Sequence, residues 1–368
     1  MEIMIVLLII MGIFHSLILG ITVYNFFTAP KVYNVVHDLI KTPFVSILVP
    51  ARNEENNIEE CINSVLMQHY NNYELIVLDD NSKDSTADIV KSYEKQNSRI
   101  QLISGKQLPD GWLGKNWACH QLSVQAKGDV LLFLDADVKL EDNAINAALY
   151  KMQVREADAL SVFPTQIINS WGEYLIVPLM NWLLLTFLPL KKVYSSTNES
   201  FVAANGQLIM FTKSTYEKVG GHAAVKKEVV EDMEFARRIK KHGLRLITAL
   251  GHYSVSCRMY QSFDESFNGF VKNFFPGFKT NIVVFSLFIL LVQFFFLLPI
   301  ILSFFDISFL IITLAIVLNR LLVSFTSNQS PLIGIIHPLQ MLLLLMVGYT
   351  SISSHSSGNV EWKGRKLS

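Results

Sequence analysis

The sequence predicts a mixed α/β domain with a mostly parallel sheet, preceded and followed by transmembrane helices. Between residues 41 and 278, short apolar runs alternate with segments of helical periodicity, joined by short polar turns. That alternation is typical of a parallel sheet with helices on both faces. Outside this region lie stretches without formal charge, each as long as the roughly 20 apolar residues that span a bilayer. These stretches are Ile3–Phe27, Asn281–Phe305 and Leu321–Val360.

The composition indicates a membrane protein with one sizeable globular part. Of 368 residues, 51% are hydrophobic and only 17% are charged, which is too apolar for a purely soluble chain. The formal net charge is zero, without a basic stripe or an aromatic platform, so no nucleic acid is expected as a partner. Three cysteines without metal-ligand spacing indicate a reduced compartment.

The first 30 residues predict a retained N-terminal anchor. A cleaved signal peptide is the alternative, but Glu2 is acidic and the apolar run is too long. Lys31 and Lys41 follow the anchor, and the positive-inside rule then places the domain at 41–278 in the cytosol. We therefore expect a multi-pass protein of the cell membrane, with a cytosolic domain and a C-terminal membrane region at 281–353.

The regular elements follow one another in the order expected of a parallel sheet. Ligands of such sheets gather at the loops after the strands, here Pro50–Glu54, Asp79–Asp84 and Asp135–Asp137. The predicted elements are a strand at Ser46–Val49 closed by Pro50, a helix within Glu54–Gln68, a strand at Leu75–Leu78, a helix from Asp84-Ser85-Thr86 through Tyr93, and a buried strand at Val130–Leu134.

Two apolar segments inside the globular part predict contact with the bilayer surface. The segment at 171–190 is short and is broken by Pro178 and Pro189. As a true span it would separate the acidic motifs across the membrane, so an interfacial segment is favoured, with Trp171 and Trp182 at the headgroup level. The Phe-rich segment at 263–278, with Lys272 and the following Lys279, resembles it.

Four polar signatures recur in a fixed order, and three of them follow predicted strands. Asp135 and Asp137 end a buried strand, where one carboxylate could hold a divalent metal and the other a sugar or ribose hydroxyl. Taken singly, each signature has an ordinary explanation as a turn, a helix cap, a solvated helix face or chance. Their joint order favours function. The signatures are SILVPARNEENNI at 46–58, LIVLDDNS at 75–82, VLLFLDADV at 130–138 and EVVEDMEFARRIKKHG at 228–243.

Over residues 44–280 these motifs resemble the family 2 glycosyltransferases. The resemblance implies the nucleotide-sugar-binding GT-A fold, inversion at the anomeric carbon, a UDP-sugar donor, and manganese or magnesium. It also implies roles for particular residues. Pro50, Arg52, Asn53 and Glu54 would contact the nucleotide, and Asp79 and Asp80 would contact its uracil ring. Asp135 and Asp137 would bind the metal and the donor, with Asp137 on the ion, and Asp232, which follows Glu231, would be the general base.

Two basic residues are further candidates for the donor diphosphate. Lys115 follows two glycines and resembles a basic residue that the family places near the donor, although a surface-turn lysine explains its spacing equally well. Arg258 takes the place of the arginine in the Gln-x-x-Arg-Trp motif of processive relatives. Tyr260 follows it instead of tryptophan and no matching glutamine precedes it, which argues against a polymer synthase. Asn205-Gly206-Gln207 corresponds to an acceptor-side stretch, and His222 is expected to be a loop histidine.

Three further segments resemble membrane enzymes that glycosylate lipids. WLGKNWAC at 112–119, RMYQSF at 258–263 and VEWKGR at 360–365 are similar to bacterial carotenoid-acid and hopanoid-associated glycosyltransferases, and the last also to ceramide glucosyltransferases. The resemblance implies transfer of glucose from UDP-glucose to the carboxylate of a carotenoid acid. Alternative acceptors are a hopanoid, a polyprenyl phosphate, a diacylglycerol or a ceramide-like lipid. The alternative to an enzyme is a non-catalytic membrane scaffold. The sequence leaves the oligomeric state open.

The side of the C-terminus depends on how many C-terminal segments cross completely. Three full spans would place the tail at 354–368 outside, whereas its basic residues favour the inside. We therefore expect a cytosolic C-terminus, with one of the segments 281–305, 307–325 and 331–353 crossing incompletely. Arg320 and His337-Pro338 mark the second and third as candidates for irregular insertion.

Overall fold

The computed structural model describes residues 2–358, 361–362 and 365–366. Val360, Lys363 and Gly364 of the tail motif lie outside the described residues. The strands, in chain order, are β1 (Val45–Ala51), β2 (Tyr73–Asp79), β3 (Ile100–Ser104), β4 (Val130–Leu134), β5 (Val138–Leu140), β6 (Ala159–Phe163), β7 (Thr165–Gln166), β8 (Leu208–Thr212), β9 (Leu246–Leu250), β10 (Val255–Cys257), β11 (Glu361–Trp362) and β12 (Arg365–Lys366).

Helices cover both faces of the sheet and form the membrane region. In chain order they are α1 (Glu2–Thr28), α2 (Ile58–Leu66), α3 (Thr86–Glu94), α4 (Gly114–Gln125), α5 (Ala144–Val154), α6 (Trp171–Ile176), α7 (Pro178–Phe187), α8 (Lys191–Ser195), α9 (Lys213–Lys218), α10 (Glu231–Lys241), α11 (Phe263–Phe278), α12 (Ile282–Phe296), α13 (Leu298–Leu302), α14 (Leu310–Thr326) and α15 (Ile333–Ser356).

The described residues form a central sheet with the strand order β3-β2-β1-β4-β8-β6-β9. All its neighbouring strands are parallel except β8, which runs antiparallel to β4 and β6. The predicted fold class is confirmed, and β4 has the predicted bounds. β1 is longer than predicted and includes Pro50. Its pairing with β4 ends at Leu48, so the absent N–H of Pro50 costs no ladder bond there.

A small second sheet places the residues around the acidic strand end. Its strand order is β5-β10-β7, and β10 aligns Cys257 with Val138. Asp137 therefore lies next to Cys257, and Arg258 follows directly. Residues about 120 positions apart thus meet at the carboxyl end of β4, which local sequence patterns do not reveal.

The apolar segment at 171–190 is built into the helical bundle. Trp171 is exposed, as expected of a residue at the membrane surface, but the expectation for Trp182 is wrong. Trp182 is completely buried, and its indole N–H donates to Asn319 Oδ1 at 3.2 Å. A buried tryptophan needs such a partner for its N–H, and here α14 supplies it.

Side chains from other helices replace three hydrogen bonds that prolines remove. A proline has no N–H for the carbonyl four residues earlier, and in an apolar bundle that carbonyl needs another donor. Each replacement fixes one helix against another. Gln340 Nε2 donates at 2.8 Å to Tyr174 O, the carbonyl that Pro178 leaves without a donor. In the same way, His15 Nε2 donates at 2.8 Å to Phe295 O, four residues before Pro299, and His355 Nε2 donates at 2.9 Å to Lys272 O, four residues before Pro276.

Among the described residues, four helical segments are long and apolar enough to cross a membrane: Glu2–Thr28, Ile282–Leu302, Ile307–Thr326 and Ile333–Ser356. The helices at Arg320 and Pro338 are continuous, whereas the first C-terminal segment is interrupted at Leu297. The loop before α15 and the last part of α15 meet the globular part. Asn328, in that loop, lies 3.0 Å from His252, and Ser351 Oγ of α15 donates to Val271 O of α11 at 2.6 Å.

Candidate active site

The loops after β1 and β2 are joined at the carboxyl edge of the sheet. Arg52 Nη1 donates to the main-chain oxygen of Asp80 at 2.7 Å. The backbone N–H of Asn53 donates to Ser82 Oγ at 3.0 Å. Asn53 has a φ of +52°, a conformation that asparagine tolerates better than most residues. The arginine predicted to contact a nucleotide therefore also holds the two loops together.

The acidic residues of these loops have structural partners of their own. Asp79 Oδ1 accepts the N–H of Ser82 at 3.2 Å, the turn that an Asp-rich loop commonly forms. Glu54 Oε2 accepts from Asn57 Nδ2 at 2.8 Å. Asp80 is buried, with 6% of its surface exposed. The ordinary turn and the proposed nucleotide contact are compatible, because each carboxylate can accept several hydrogen bonds.

Lys115 connects the two acidic motifs. Its Nζ lies 2.8 Å from Asp135 Oδ1 and 3.3 Å from Glu231 Oε1. Burial lowers the pKa of Lys115, but the two carboxylates outweigh it and hold that pKa well above its usual value. Lys115 is thus ionised and anchored between the end of β4 and the start of α10, and the surface-turn alternative does not describe it.

Asp232 is held by backbone donors beside Lys115 and Glu231. Its Oδ2 accepts the N–H of Gly206 at 2.8 Å, and its Oδ1 accepts the N–H of Met233 at 2.6 Å. Burial and, second, the charge of Glu231 raise the pKa of Asp232 to about 7. A carboxyl group with that pKa can take up or release a proton near neutral pH.

Asp137 is the carboxylate best suited to a metal. Its Oδ1 is buried and has no hydrogen-bond partner, while both oxygens of Asp135 lie within 2.9 Å of Lys115. Burial, Asp135 and Glu54 raise the pKa of Asp137 to about 7, so a cation would relieve its charge. The described residues contain no group of three or more metal-ligating side chains. Two carboxylates completed by phosphate oxygens fit the coordination that magnesium prefers.

Arg258 lies next to this centre in the chain, but its guanidinium points to another partner. Its Nη2 donates to Glu173 Oε1 at 3.0 Å, and Glu173 is completely buried in α6. The Nε of Arg258 is buried without a hydrogen-bond partner. The structure therefore ties Arg258 to helix α6 and leaves its Nε as a buried donor without a partner.

Sequence reasoning assigned no role at this site to Cys257 or Lys272, and it placed Gln207 only in an acceptor-side stretch. Gln207 Nε2 donates to Cys257 Sγ at 2.8 Å, and the Cys257 thiol in turn hydrogen bonds to Asp137. Lys272 interacts electrostatically with the carboxylates of Glu231 and Asp232, and burial lowers its pKa to about 8. One signal was available, since Lys272 is the only basic residue within the Phe-rich segment at 263–278. His222 is buried against Tyr216, with 2.8 Å between Nδ1 and the phenolic oxygen.

The chain resembles known glycosyltransferases in sequence. The model of glycosyl transferase family 2 matches residues 46–232, about half of the chain. The 4,4'-diaponeurosporenoate glycosyltransferase of Staphylococcus haemolyticus is 26% identical over 64% of this chain and 62% of its own length. The enzyme of the same name from Staphylococcus aureus strain MRSA252 is 28% identical over 63% of this chain and 61% of its own length. The chain thus matches about three fifths of these relatives.

A solved structure shares the fold over nearly the whole chain. It is a mannosyltransferase from Pyrobaculum calidifontis in complex with GDP-Man and Mn2+. The similarity has a TM-score of 0.56 and covers 96% of this chain and 98% of that one, at 16% sequence identity. At this identity the similarity concerns the fold alone, and it includes the membrane helices as well as the sheet.

Proposed function

Because this chain belongs to glycosyl transferase family 2, we propose that it is a membrane-bound inverting glycosyltransferase that moves a sugar from a nucleotide sugar to a lipid. The proposed acceptor is the carboxylate of a carotenoid acid, in line with the names of its relatives. The proposed donor is UDP-glucose. One observation carries the proposal: Lys115 joins Asp135 of the donor motif to Glu231, the neighbour of the candidate base Asp232.

The donor would occupy the carboxyl edge of the sheet. The loop at 50–54 and the Asp79-Asp80 pair would hold the nucleotide, with Arg52 keeping both loops in place. A manganese or magnesium ion at Asp137, with Asp135 beside it, would supply positive charge against the diphosphate. Lys115 would add a fixed ammonium at the same edge, and the free Nε of Arg258 is a second candidate donor.

The reaction would be a direct displacement at the anomeric carbon. An acceptor oxygen forms the new bond to that carbon as the bond to the diphosphate breaks, and the bonding electron pair leaves with the nucleotide. If the acceptor is a hydroxyl, its proton passes to Asp232, which the N–H of Gly206 holds in place. If the acceptor is a carboxylate, there is no proton to remove and Asp232 has only an orienting role.

We further propose that the catalytic domain and the C-terminus are both cytosolic. Lys31 and Lys41 support the first part. For the second part, Asn328 in the loop before α15 and Ser351 near its end both contact the globular domain, which favours a helix lying along the membrane rather than a complete span. A C-terminal tag should be protected from protease in intact cells, and its cleavage would show that α15 crosses.

Transfer to other lipids and a non-catalytic scaffold are the rival functions. Mass spectrometry of lipids from cells with and without the protein distinguishes them. A glucosylated carotenoid acid that requires the protein supports the proposal, and a glycosylated hopanoid, polyprenyl phosphate, diacylglycerol or ceramide supports that acceptor instead. Identical lipids in both cells, together with purified protein that neither transfers nor hydrolyses UDP-glucose, would contradict a glycosyltransferase role.

A further inference from the structure

Glu173 is a buried carboxylate in the first turn of α6. Its Oε2 accepts the N–H of Asn169 at 2.9 Å, and its Oε1 accepts from Ser170 Oγ at 2.8 Å. Ser170 Oγ in turn accepts the N–H of Glu173 at 3.3 Å, which completes a capping box at the start of the helix. Capping alone does not require burial, yet Glu173 is completely buried, and a buried charge needs a partner of opposite sign.

Arg258 is that partner. Its Nη2 donates to Glu173 Oε1 at 3.0 Å. Burial raises the pKa of Glu173, but the hydrogen bonds from Arg258 and from the residues before α6 outweigh it and lower that pKa below its usual value. Only 1% of the Glu173 side chain is exposed, against 36% of the Arg258 side chain. One end of the guanidinium is therefore fixed by a buried anion, while part of the arginine still meets solvent.

The helix that carries Glu173 is itself fixed on both sides. Gln340 Nε2 of α15 donates to the carbonyl of Tyr174 at 2.8 Å. On the other side, Gly172 lies against the start of α11, where an added Cβ would be 2.7 Å from the Cβ of Phe263. Glu173 stands between these two contacts in the chain. Its carboxylate is thus attached to an element that cannot shift without disturbing the helical bundle.

The backbone of Arg258 starts at the acidic end of β4. Arg258 directly follows Cys257, whose Sγ accepts from Gln207 Nε2 at 2.8 Å. The main-chain oxygen of Gln207 accepts the N–H of Asp135 at 2.9 Å. The arginine therefore extends from the carboxyl edge of the sheet, where the donor would bind, to α6.

Ordering of this arginine before a ligand arrives has a consequence for affinity. A flexible arginine that becomes fixed on binding an anion loses rotamer freedom, which weakens binding by about tenfold or more. The ion pair with Glu173 removes that cost in advance. The negative charge of Glu173 acts in the opposite direction, but solvent screens a partly exposed guanidinium, so we expect the ordering effect to be larger.

We propose that Glu173 is a positioning residue that holds the Arg258 guanidinium for the diphosphate of the donor. The proposal rests on the nucleotide-sugar function above and deepens it, because it makes donor binding depend on α6 and on the helices that fix α6. Glu173 acts only through Arg258. Arg258 itself would donate charge-assisted hydrogen bonds to the diphosphate.

The test is a double-mutant cycle on the full-length protein in nanodiscs. The proteins are wild type, Glu173→Gln, Arg258→Gln and the double variant, and calorimetry measures the Kd of UDP with Mn2+. Glu173→Gln should raise this Kd about tenfold. In the Arg258→Gln background the same substitution should add nothing, because the group that Glu173 positions is gone.

Glu265→Gln is a matched control for the capping role. Glu265 closes the same kind of capping box at the start of α11, where it accepts the N–H of Gln261 at 2.8 Å and its own N–H donates to Ser262 Oγ at 3.2 Å. It is exposed, so its charge is solvated. The UDP affinity of Glu265→Gln should equal that of wild type. If Glu173→Gln does not fold, Glu173→Asp replaces it, with a smaller loss that Arg258→Gln should likewise abolish.

Each outcome decides the inference. Equal losses in Glu173→Gln and Glu265→Gln, or a loss that persists in the Arg258→Gln background, would show that Glu173 acts through the fold and would overturn it. Unchanged or tighter UDP binding by Glu173→Gln would also overturn it. If wild type binds UDP but transfers to no lipid, the proposed function fails and the cycle still decides the role of Glu173. If wild type binds neither UDP nor GDP, both proposals are refuted.

Discussion

Replacing Asp232 by asparagine separates the two classes of acceptor. The substitution keeps the side-chain shape and one acceptor oxygen, which the N–H of Gly206 can use. It removes the basic carboxylate and the second acceptor, which the N–H of Met233 uses in the wild type. With a hydroxyl acceptor, loss of a general base should lower kcat by about 10²–10⁴-fold. A carboxylic acid acceptor is already ionised at neutral pH, with a pKa of about 4–5, so the loss should be much smaller.

The raised pKa of Asp232 determines the pH dependence. Burial and the charge of Glu231 place it at about 7, so the ionised fraction rises from about one tenth at pH 6 to about nine tenths at pH 8. If Asp232 is the base, wild-type transfer to a hydroxyl should rise roughly tenfold over this range and fall as the pH drops through 7. Transfer to a carboxylate should lack this rise.

The assay is initial-rate transfer from UDP-glucose between pH 6 and 8, for wild type, Asp232→Asn and the exposed control Asp88→Asn. Each protein is tested with a carotenoid acid and with a long-chain alcohol. A carotenoid-acid rate that falls by the full amount in Asp232→Asn, at every pH, would refute the proton-transfer argument. Asp232 would then position the substrate. An unchanged alcohol rate would exclude Asp232 as the base altogether.

Three further predictions concern the metal, the centre of the site and the bundle. Asp137→Asn should abolish transfer and Mn2+-dependent nucleotide binding without lowering the unfolding temperature, and full activity in excess chelator would contradict a metal role. Gly206→Ala places a Cβ 3.1 Å from a Glu231 oxygen and should reduce kcat. The control Gly277→Ala should be neutral, because its added Cβ would have no atom within 4 Å. Equal activities of the two variants would contradict the steric argument. Gln340→Leu leaves the carbonyl of Tyr174 unsatisfied and should destabilise the fold by about 1–3 kcal/mol in thermal unfolding, and an unchanged midpoint would contradict this.

The local sequence predicted those parts of the site whose residues all lie in one loop or at the end of one strand. Apolar runs predicted β4 with its observed bounds, and turn residues marked the loops after β1 and β2. Because parallel strands end at one edge, their loops had to lie close together. The roles assigned to Arg52, Asp79, Asp137 and Asp232 remain predictions, and the geometry describes where their side chains lie and which partners they have.

Tertiary structure decided the partners, since these come from elements far apart in the chain. The pattern around Lys115 does not reveal that it joins Asp135 to Glu231, and that around Arg258 does not reveal Glu173. Trp182 has the composition of a headgroup residue, yet packing against α14 buries it. Periodicity and charge determine what a segment can bury, because they are properties of neighbours along the chain. Which side chain meets which depends on how the elements pack, and that is a property of the whole fold.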